Sequence, residues 1–547
     1  MDGLMMDYPL LISTILRRAE RVFPEKEIVS RRGDGRIVRI TYAELGRRVR
    51  RLMNVLVDVG VRPGDRVATF AWNSQRHLEL YFAVPMIGAV LHTINIRLPR
   101  EQIIYIVNHA EDRFVFVDRS LACLFGELQA SPGLPSVKAY VLIDEGGAPE
   151  PATPPSPAFD YDELLASASE QAVDPVFAEN TAAGLCYTSA TTGDPKGVLY
   201  SHRSTVLHSL ANCMVDGGGM GERETALPVV PMFHVNAWGL PYSCTLCGAK
   251  LVLPGSGFVG QPLAELIEAE RVTCAAGVPT VWNLLYQHLQ EKSYDLSSLK
   301  TILVGGSAAP RSMIENYAHD FGITVIHAWG MTETSPVGTV SRLKSTAAGW
   351  DHERQLELLL TQGLPVPGVE VKIVDAADIE LPWDGVQAGE LLVRGPWIAR
   401  AYYNNPAAGG SFTADGWFRT GDIAAIEPLG YVRLTDRKKD LIKRKGEWIS
   451  SVDMENAVLA HKGVLEAAVV ARPDPLRIEV PVCLVVRKNP SATIPPEEIL
   501  EILARKFARW QLPRPEDILF VESLPKTSVG KLDKKLIRQS LQSTTSG

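Results

Sequence analysis

Residues 187–197 read YTSATTGDPKG, a run of hydroxyl side chains and small residues with one lysine. The run begins at the end of AGLCYTS, an apolar, β-rich segment that predicts a strand. Successive backbone N–H groups in such a loop form an anion-binding concavity, and Lys196 adds a positive charge. The loop is not a Walker A motif, because GxxxxGK[ST] is absent. On this segment alone, a phosphate site and a solvated turn both remain open.

The pattern of a strand followed by a helix recurs through most of the chain. Between residues 28 and 120, the β-rich runs RIVRITY, RVATFAW, AVLHTIN and RFVFVD alternate with helix-like segments at 43–59 and 74–87. A second series of the same kind runs from 185 to 337, and short strands with turns follow after 363. Beyond a charged break, DRKKD at 436–440, the chain has its own strands and helices.

These patterns predict an α/β fold in three parts. We expect a large N-terminal lobe (1–435) of two α/β layers plus a β-rich subdomain, then a hinge (436–440). A small, mobile α+β C-terminal domain (441–547) should follow.

Composition narrows the class of protein. The 547 residues carry 56 basic and 63 acidic side chains, a net charge of −7, and no long basic block, so we expect no nucleic acid partner. The longest apolar stretches fall short of the roughly 20 residues of a membrane helix, so we expect no transmembrane segment. The opening MDGLMMDYPLLISTILRR does not resemble a signal peptide. A cytoplasmic protein is therefore predicted.

The seven cysteines are an odd, sparse set that suits a reducing compartment. Cys244 and Cys247 form a CxxC pair within an apolar segment. We interpret them as buried thiols, with a metal or redox site as the alternative.

Four further motifs accompany the first loop in a fixed order: HAWGMTETSP (327–336), TGD (420–422), DRKKDLIK (436–443) and PKTSVGK (525–531). Together they resemble the adenylate-forming superfamily, which includes acyl-CoA synthetases, adenylation domains and luciferases. The resemblance runs from about residue 20 to residue 540. It is strongest to the fatty acyl-CoA synthetase branch, through PMFHVNAW (231–238), VGGSAAPRS (304–312) and KGEWISSVDMEN (445–456), with further similarity to methylthiopropionate-CoA ligases.

The resemblance implies an ATP site within the N-terminal domain. The residues expected around the β- and γ-phosphates are Thr188, Ser189, Thr191, Thr192, Gly193 and Lys196. Glu333 would hold Mg²⁺, with Thr188 beside it, since a carboxylate suits this hard cation. The neighbouring Thr332 would reach the α-phosphate. Glu333 could instead be an ordinary helix-capping acid.

The adenosine part of ATP would be held by other motifs. Asp422 and Arg437 suit the ribose hydroxyls, as an acceptor and a fork of donors; a surface ion pair is the alternative. The residues expected around adenine are Gly306, Ser307, Ala308, Ala309, Pro310, Trp329, Gly330 and Met331. Trp329 could also be an ordinary core residue.

Lys531 is the predicted catalytic cation. Attack of a carboxylate on the α-phosphate concentrates negative charge between two anions, and a mobile lysine can offset it. The remaining residues to which the resemblance assigns catalytic roles are Glu333, Thr188 and His234. Lys439 aligns with the hinge residue about which the C-terminal domain swings.

Two further groups of residues would bind the other substrates. The pantetheine arm of coenzyme A is expected near Lys443, Gly446, Glu447 and Trp448, where a solvated hairpin is the alternative. The acyl group is expected near His234, Val235, Asn236, Trp238, Val278 and Pro279, with Trp238 one helical turn after the histidine. Val278, Pro279 and the nearby Trp282 could also be core packing.

The function implied is an ATP-dependent acyl-CoA synthetase that forms an acyl adenylate and then a thioester with coenzyme A. Alternatives are adenylation alone with delivery to a carrier protein, a short-chain methylthiopropionate-CoA ligase, and a non-enzymatic nucleotide-binding regulator. Ala190 stands where the loop of the family usually has glycine, and this departure bears on ATP affinity. The segment DPLRIEVP (474–481) departs from the family's DPxWGERP, and this departure bears on thioester formation. The acid is left open, and a homodimer is expected by analogy with the fatty acyl branch.

Overall fold

A computed structural model describes residues 1, 3–130, 133–188, 194–444, 447–474, 478–527 and 531–545. Two large sheets lie on either side of a helix, Gln75–Met86, in which every residue is buried and which contacts strands of both sheets. Its second half, residues 80–86, is apolar, and the charged Arg76 and Glu79 in its first half pair with Asp162 and Arg48.

The first large sheet has seven strands. In spatial order they are Ala158–Asp160, Ala139–Ile143, Phe114–Asp118, Arg66–Phe70, Val90–Thr93, Ala182–Tyr187 and Gly197–Ser201. All neighbours are parallel except the last pair, which is antiparallel and flanks the loop at 188–196. The inner strands are buried along their length, as expected for parallel strands that are covered on both faces.

The second large sheet has nine strands. In spatial order they are Leu364–Pro365, Val337–Val340, Thr324–Gly330, Thr301–Val304, Cys274–Gly277, Thr225–Pro228, Lys250–Leu253, Glu27–Arg31 and Ile37–Thr41. Its central strands are parallel, and the loops after Thr301–Val304 and Thr324–Gly330 leave the same edge of the sheet. Ligands of parallel sheets bind at this carboxyl edge.

Helices follow most of the parallel strands. The helices of the N-terminal lobe and of the C-terminal part are Ile12–Val22, Tyr42–Asp58, Gln75–Met86, Arg100–Ala110, Ala122–Ala130, Tyr161–Ala166, His202–Cys213, Leu240–Cys247, Gln261–Glu270, Pro279–Glu291, Arg311–Phe321, His352–Leu359, Ser451–Leu459, Pro496–Ala504 and Lys534–Thr545. The helices predicted at 43–59 and 74–87 are confirmed to within one residue, and each begins at a hydroxyl cap, Thr41 and Ser74. No helix in the described ranges has both the length and the apolar character of a membrane span.

Two smaller sheets complete the chain. Four antiparallel strands, Glu370–Val374, Gly389–Arg394, Phe418–Ile426 and Val432–Arg437, form the predicted β-rich subdomain. The C-terminal part has its own sheet of Glu447–Ile449, Ile442–Arg444, Ile478–Arg487, Val464–Asp474 and Ile518–Val521, covered by helices. The predicted fold class is confirmed, whereas the domain boundaries at 435 and 441 stay a prediction.

Candidate active site

The two ends of the first loop are held together by backbone hydrogen bonds. The amide of Thr188 donates to the carbonyl of Lys196 at 2.9 Å, and the amide of Lys196 donates to Thr188 Oγ1 at 3.1 Å. Both residues line a cavity of about 890 Å³. The other residues predicted to bind phosphate, Ser189, Thr191, Thr192 and Gly193, lie outside the described residues, as does Ala190.

Glu333 faces the same cavity from a single 3₁₀ turn, Thr332–Thr334. Its side chain is 5% exposed, and the hydroxyl of Tyr402 donates to its Oε1 at 2.6 Å. Burial raises the pKa of Glu333, while the hydrogen bond from Tyr402 opposes this shift. Tyr402 also lies beneath Lys196, whose Nζ is 4.7 Å from the ring centroid. The sequence motifs gave no indication of this tyrosine.

Asp422 and Arg437 meet across two neighbouring antiparallel strands, where they are paired in register. Arg437 Nε lies 2.6 Å from Asp422 Oδ1, and the indole Nε1 of Trp329 donates to Asp422 Oδ2 at 2.9 Å. Asp422 is only 2% exposed, so the pair is not the surface ion pair considered as an alternative. The aspartate raises the pKa of the Arg437 guanidinium, which stays charged.

A second cavity of about 420 Å³ adjoins this pair and lies between the N-terminal lobe and the C-terminal part. Its walls include Gly306, Ser307, Ala308, Pro310, Trp329 and Gly330. Ala309, in contrast, is 3% exposed and packs in the core below. The N-terminal wall of this cavity is therefore rich in small residues and carries one indole, a surface that can accept a planar base.

Lys531 reaches both cavities from the C-terminal part. Its Cε lies 3.4 Å from the position that a Cβ on Gly306 would occupy, so the lysine packs closely against this glycine, whose φ of 83° disfavours other residues. Burial and the charge of Arg437 lower the pKa of Lys531 to about 8, while Asp422 and Glu333 act against this shift. The lysine is thus close to Arg437, Asp422 and Glu333, the charged residues of the motifs that were predicted to bind the nucleotide.

The backbone of Lys531 is fixed by its neighbour Thr527. Thr527 donates its amide to the carbonyl of Lys531 at 2.6 Å, and the amide of Lys531 donates to Thr527 Oγ1 at 3.2 Å. Lys439, the predicted hinge residue, lines both cavities, and burial lowers its pKa. Met331 and Thr332 also line the larger cavity.

His234, Val235 and Trp238 also line the larger cavity. Val235, Asn236, Ala237 and Trp238 have φ angles of 45°, 50°, 48° and 58°, so they form a left-handed turn. The sequence predicted that Trp238 lies one helical turn after His234, but it did not predict that the turn is left-handed, because the spacing of side chains does not encode handedness. Asn236, a residue type that tolerates this conformation, is 8% exposed and its Oδ1 lies 3.4 Å from Thr93 Oγ1.

The turn places His234 and Trp238 in the cavity. Burial, together with the charges of Lys531 and Arg97, lowers the pKa of His234 to about 3, so its imidazole is neutral at physiological pH. The indole Cη2 of Trp238 would lie 3.1 Å from a Cβ on Gly305, and Trp238 therefore closes the cavity against glycine backbone.

The remaining acyl candidates divide between cavity and core. Pro279 lines the smaller cavity, and Val278 contacts Gly306. Trp282 is fully buried and packs within a hydrophobic cluster, as the core alternative predicted.

The residues predicted near coenzyme A lie on a hairpin of the C-terminal sheet. Lys443 is exposed, donates its amide to Glu479 Oε2 at 2.6 Å, and lines neither cavity. Glu447 and Trp448 lie on the paired strand Glu447–Ile449, and Gly446 lies outside the described residues. Among the described side chains of the hairpin, Lys443 therefore does not contribute to either cavity.

The donor set suits Mg²⁺ shared with phosphate oxygens. Glu333 and Thr188 provide a carboxylate and a hydroxyl on one cavity, and no group of three or more His, Cys, Asp or Glu side chains that could form a complete metal cage occurs in the described residues. Mg²⁺ usually keeps waters and binds through one or two carboxylates plus substrate phosphates.

The CxxC pair consists of one buried and one half-buried cysteine. Cys244 is buried, and burial raises the pKa of its thiol, while Cys247 is half-buried.

Comparisons with known proteins agree with this geometry. Residues 16–403 match the family described as AMP-binding enzyme, and residues 453–531 match its C-terminal domain. The long-chain-fatty-acid–CoA ligase of Thermus thermophilus is 47% identical over 99% of this chain and 98% of its own. The 3-methylmercaptopropionyl-CoA ligase of Ruegeria lacuscaerulensis is 43% identical over the full length of both chains.

A solved structure supports the same assignment. ATP-bound MatB from Rhodopseudomonas palustris superposes with a TM-score of 0.82 and 25% identity, covering 98% of this chain and 99% of that one. The resemblance inferred from the motifs is confirmed over nearly the whole sequence. This chain belongs to the AMP-binding enzyme family.

Proposed function

We propose that the protein is an ATP-dependent acyl-CoA synthetase that works through an acyl adenylate. The observation that carries the proposal is the convergence of Lys531 and Arg437, which line both cavities, with Glu333 on the larger cavity and Asp422 on the smaller one. A cation that comes from a separate C-terminal part can be delivered and withdrawn, as a two-step reaction requires. The two named relatives, both CoA ligases, support the same activity.

ATP would bind along the line of the two cavities. Adenine fits the slot beside Trp329, the ribose hydroxyls fit the Asp422 carboxylate and the Arg437 guanidinium, and the phosphates extend towards Lys196. Glu333 and Thr188 would hold Mg²⁺, which when bound neutralises charge on the phosphates. This order orients the α-phosphate towards the wall that carries His234.

In the first half-reaction, a carboxylate oxygen of the acid attacks the α-phosphorus and pyrophosphate leaves. Negative charge builds up on the α-phosphate oxygens, and the ammonium group of Lys531 stabilises it. The neutral imidazole of His234 can hydrogen-bond to the substrate carboxylate without competing as a cation. In the second half-reaction, the thiol sulfur of coenzyme A attacks the acyl carbon, and AMP leaves.

The second half-reaction needs a different face of the C-terminal part. Among the described residues, Lys443 does not line the larger cavity while Lys531 does. We propose the domains 1–435 and 441–547 with a hinge at 436–440 on this basis, and Lys439 as the pivot. Rotation would withdraw Lys531 and present the hairpin to coenzyme A.

The acid is proposed to be a fatty or other apolar carboxylic acid. Trp238 limits the depth of the cavity, which favours short or medium chains unless the indole moves. A homodimer is also proposed, supported by an N-terminal segment in which Leu4, Met5 and Met6 are 87–95% exposed. The cytoplasmic location stays a prediction.

The test is formation of acyl-CoA and AMP from Mg·ATP, coenzyme A and a series of acids from acetate to stearate, including 3-methylmercaptopropionate. We expect a thioester product that depends on all three substrates. Pyrophosphate release without thioester would replace the ligase by an adenylating enzyme, and no acid-dependent pyrophosphate release would leave a nucleotide-binding regulator.

A further inference from the structure

Tyr402 connects two groups of the nucleotide site that no sequence motif relates to it. Its side chain is 9% exposed and lines the larger cavity. The hydroxyl donates to Glu333 Oε1 at 2.6 Å, a short hydrogen bond to a carboxylate. One oxygen of Glu333 is thereby fixed in direction, and the carboxylate presents itself to the cavity in one orientation.

The ring of the same residue supports the cation of the loop. Lys196 Nζ lies 4.7 Å from the centroid of Tyr402, within the range of a cation–π interaction. The ammonium group is therefore held by a neutral surface that does not remove its charge. A phosphate that enters the cavity meets a lysine without a competing anion on that side.

The backbone around Tyr402 fixes the ring between these two groups. The amide of Ala399 donates to the carbonyl of Glu333 at 2.8 Å, and the amide of Tyr403 donates to the carbonyl of Gly197 at 2.8 Å. The segment thus binds the glutamate turn on one side and the strand after the loop on the other. These bonds fix the backbone of the segment, while the ring itself is held by its hydroxyl bond to Glu333 and by the ring of Phe412, whose centroid lies 5.6 Å away.

The arrangement keeps opposite charges apart. Lys196 and Glu333 flank the same ring, yet among the described residues they form no ion pair within 4.0 Å. In a partly desolvated cavity an ammonium and a carboxylate attract each other strongly, and a direct pair would occupy the groups that phosphate and Mg²⁺ need. By contacting both Lys196 and Glu333 and separating them, Tyr402 keeps the two groups available for phosphate and Mg²⁺ before ATP binds.

We propose that Tyr402 is a positioning residue that orients Glu333 through its hydroxyl and holds Lys196 away from Glu333 with its ring, so that both are ready for Mg·ATP. The inference rests on the proposed function in taking Mg·ATP as the ligand. The tyrosine itself takes no part in the reaction: it remains protonated and is not consumed.

Two substitutions separate the two roles. Tyr402→Phe keeps the ring and removes the hydroxyl, so the Mg²⁺ concentration for half-maximal ATP binding should rise about ten- to a hundredfold, as for other groups that orient a metal ligand. ATP affinity measured in EDTA should be unchanged. Tyr402→Leu removes the ring as well, so Lys196 can pair with Glu333 and affinity in EDTA should also fall, by about tenfold.

A third variant distinguishes this mechanism from a general loss of structure. Adding Glu333→Gln to Tyr402→Leu removes the carboxylate that would capture Lys196, and the affinity for ATP in EDTA should recover. A merely structural role for Tyr402 predicts that Glu333→Gln changes this affinity by the same factor with and without Tyr402, so Glu333→Gln alone is measured beside the double variant. Tyr403→Phe is the matched control, because among the described residues the hydroxyl it removes contacts neither Lys196 nor Glu333.

The measurement is calorimetric titration of ATP into the full chain, with and without Mg²⁺. Unchanged Mg²⁺ dependence in Tyr402→Phe, or no recovery in the double variant, would overturn the proposal. The wild-type protein is assayed for acyl-CoA formation in parallel. If it binds Mg·ATP but forms no thioester, the ligase proposal fails, and the binding comparison between variants still decides the role of Tyr402. Failure to bind ATP at all would refute both.

Discussion

Replacement of Asp422 by asparagine tests the ribose site with the smallest change in shape. The carboxylate accepts from Arg437 on one oxygen, at 2.6 Å, and from the Trp329 indole on the other, at 2.9 Å. An amide has only one oxygen, so in Asp422→Asn the NH₂ group must face either Arg437 or Trp329. Both are donors, and one contact is therefore lost whichever way the amide turns.

The size of the effect follows from burial. A hydrogen bond to a charged group contributes about 1.5–3 kcal/mol, and Asp422 is 2% exposed. The Arg437 side chain is 43% exposed, so water screens part of the loss and the lower end of the range applies. About 1.5 kcal/mol corresponds to roughly tenfold in affinity. Loss of the negative acceptor for the ribose hydroxyls adds to this, and we expect AMP to bind ten- to a hundredfold more weakly.

The assay compares two ligands of the same site by calorimetry. AMP carries the ribose, whereas inorganic tripolyphosphate carries only the phosphates. Asp422→Asn should weaken AMP and leave tripolyphosphate unchanged within a factor of about two. Glu390→Gln is the control, since Glu390 lines the adjoining larger cavity and pairs with Arg419 at 3.2 Å, so it removes an equal charge elsewhere.

Two results would refute the reasoning. If AMP affinity is unchanged, Asp422 is not a ribose contact and its partners serve the fold alone. If AMP and tripolyphosphate weaken equally, the substitution has disturbed the cavity as a whole. The melting temperature of each variant shows whether the second result reflects partial unfolding.

Three further predictions concern catalysis and specificity. Lys531→Ala should lower the rate of acyl adenylate formation by about a hundred- to a thousandfold with ATP binding nearly intact, and a normal rate in single-turnover assays would remove the lysine from the mechanism. Because the pKa of Lys531 is lowered to about 8, its cationic form is present below that pH and lost above it. The kcat/KM for adenylation should therefore fall as pH rises through 8, and Lys531→Arg should abolish this limb, whereas the same limb in both proteins would assign it to another group. Trp238→Ala should shift preference towards longer acids, because the indole closes the cavity at Gly305; an identical profile from acetate to stearate would exclude Trp238 from the acyl site.

Local sequence patterns were sufficient to predict the architecture. The alternation of β-rich runs with helix-like segments predicted both large sheets, and hydroxyl caps at Thr41 and Ser74 explain why the starts of these two helices were predicted well. The meeting of Asp422 with Arg437 was also predictable, because both belong to motifs whose order resembles one superfamily. The register of the two strands supplies the physical reason for that pairing.

Other parts of the site depend on contacts between distant segments. Tyr402 is one of 15 tyrosines, and nothing near it in the sequence marks the residue that meets Glu333, 69 positions away. The spacing of His234 and Trp238 likewise gives no indication of the hand of the turn between them. Such features follow from tertiary packing, which a local pattern does not encode.

The left-handed turn at Val235–Trp238 has a consequence for engineering. Each of its four residues adopts a backbone conformation that costs about 1–2 kcal/mol relative to a right-handed one. Glycine at Val235 would remove much of that cost and make the native state more favourable. It would also loosen the backbone that aims His234 and Trp238 at the cavity. Selection of variants for heat resistance and selection for turnover would therefore favour opposite substitutions in this turn.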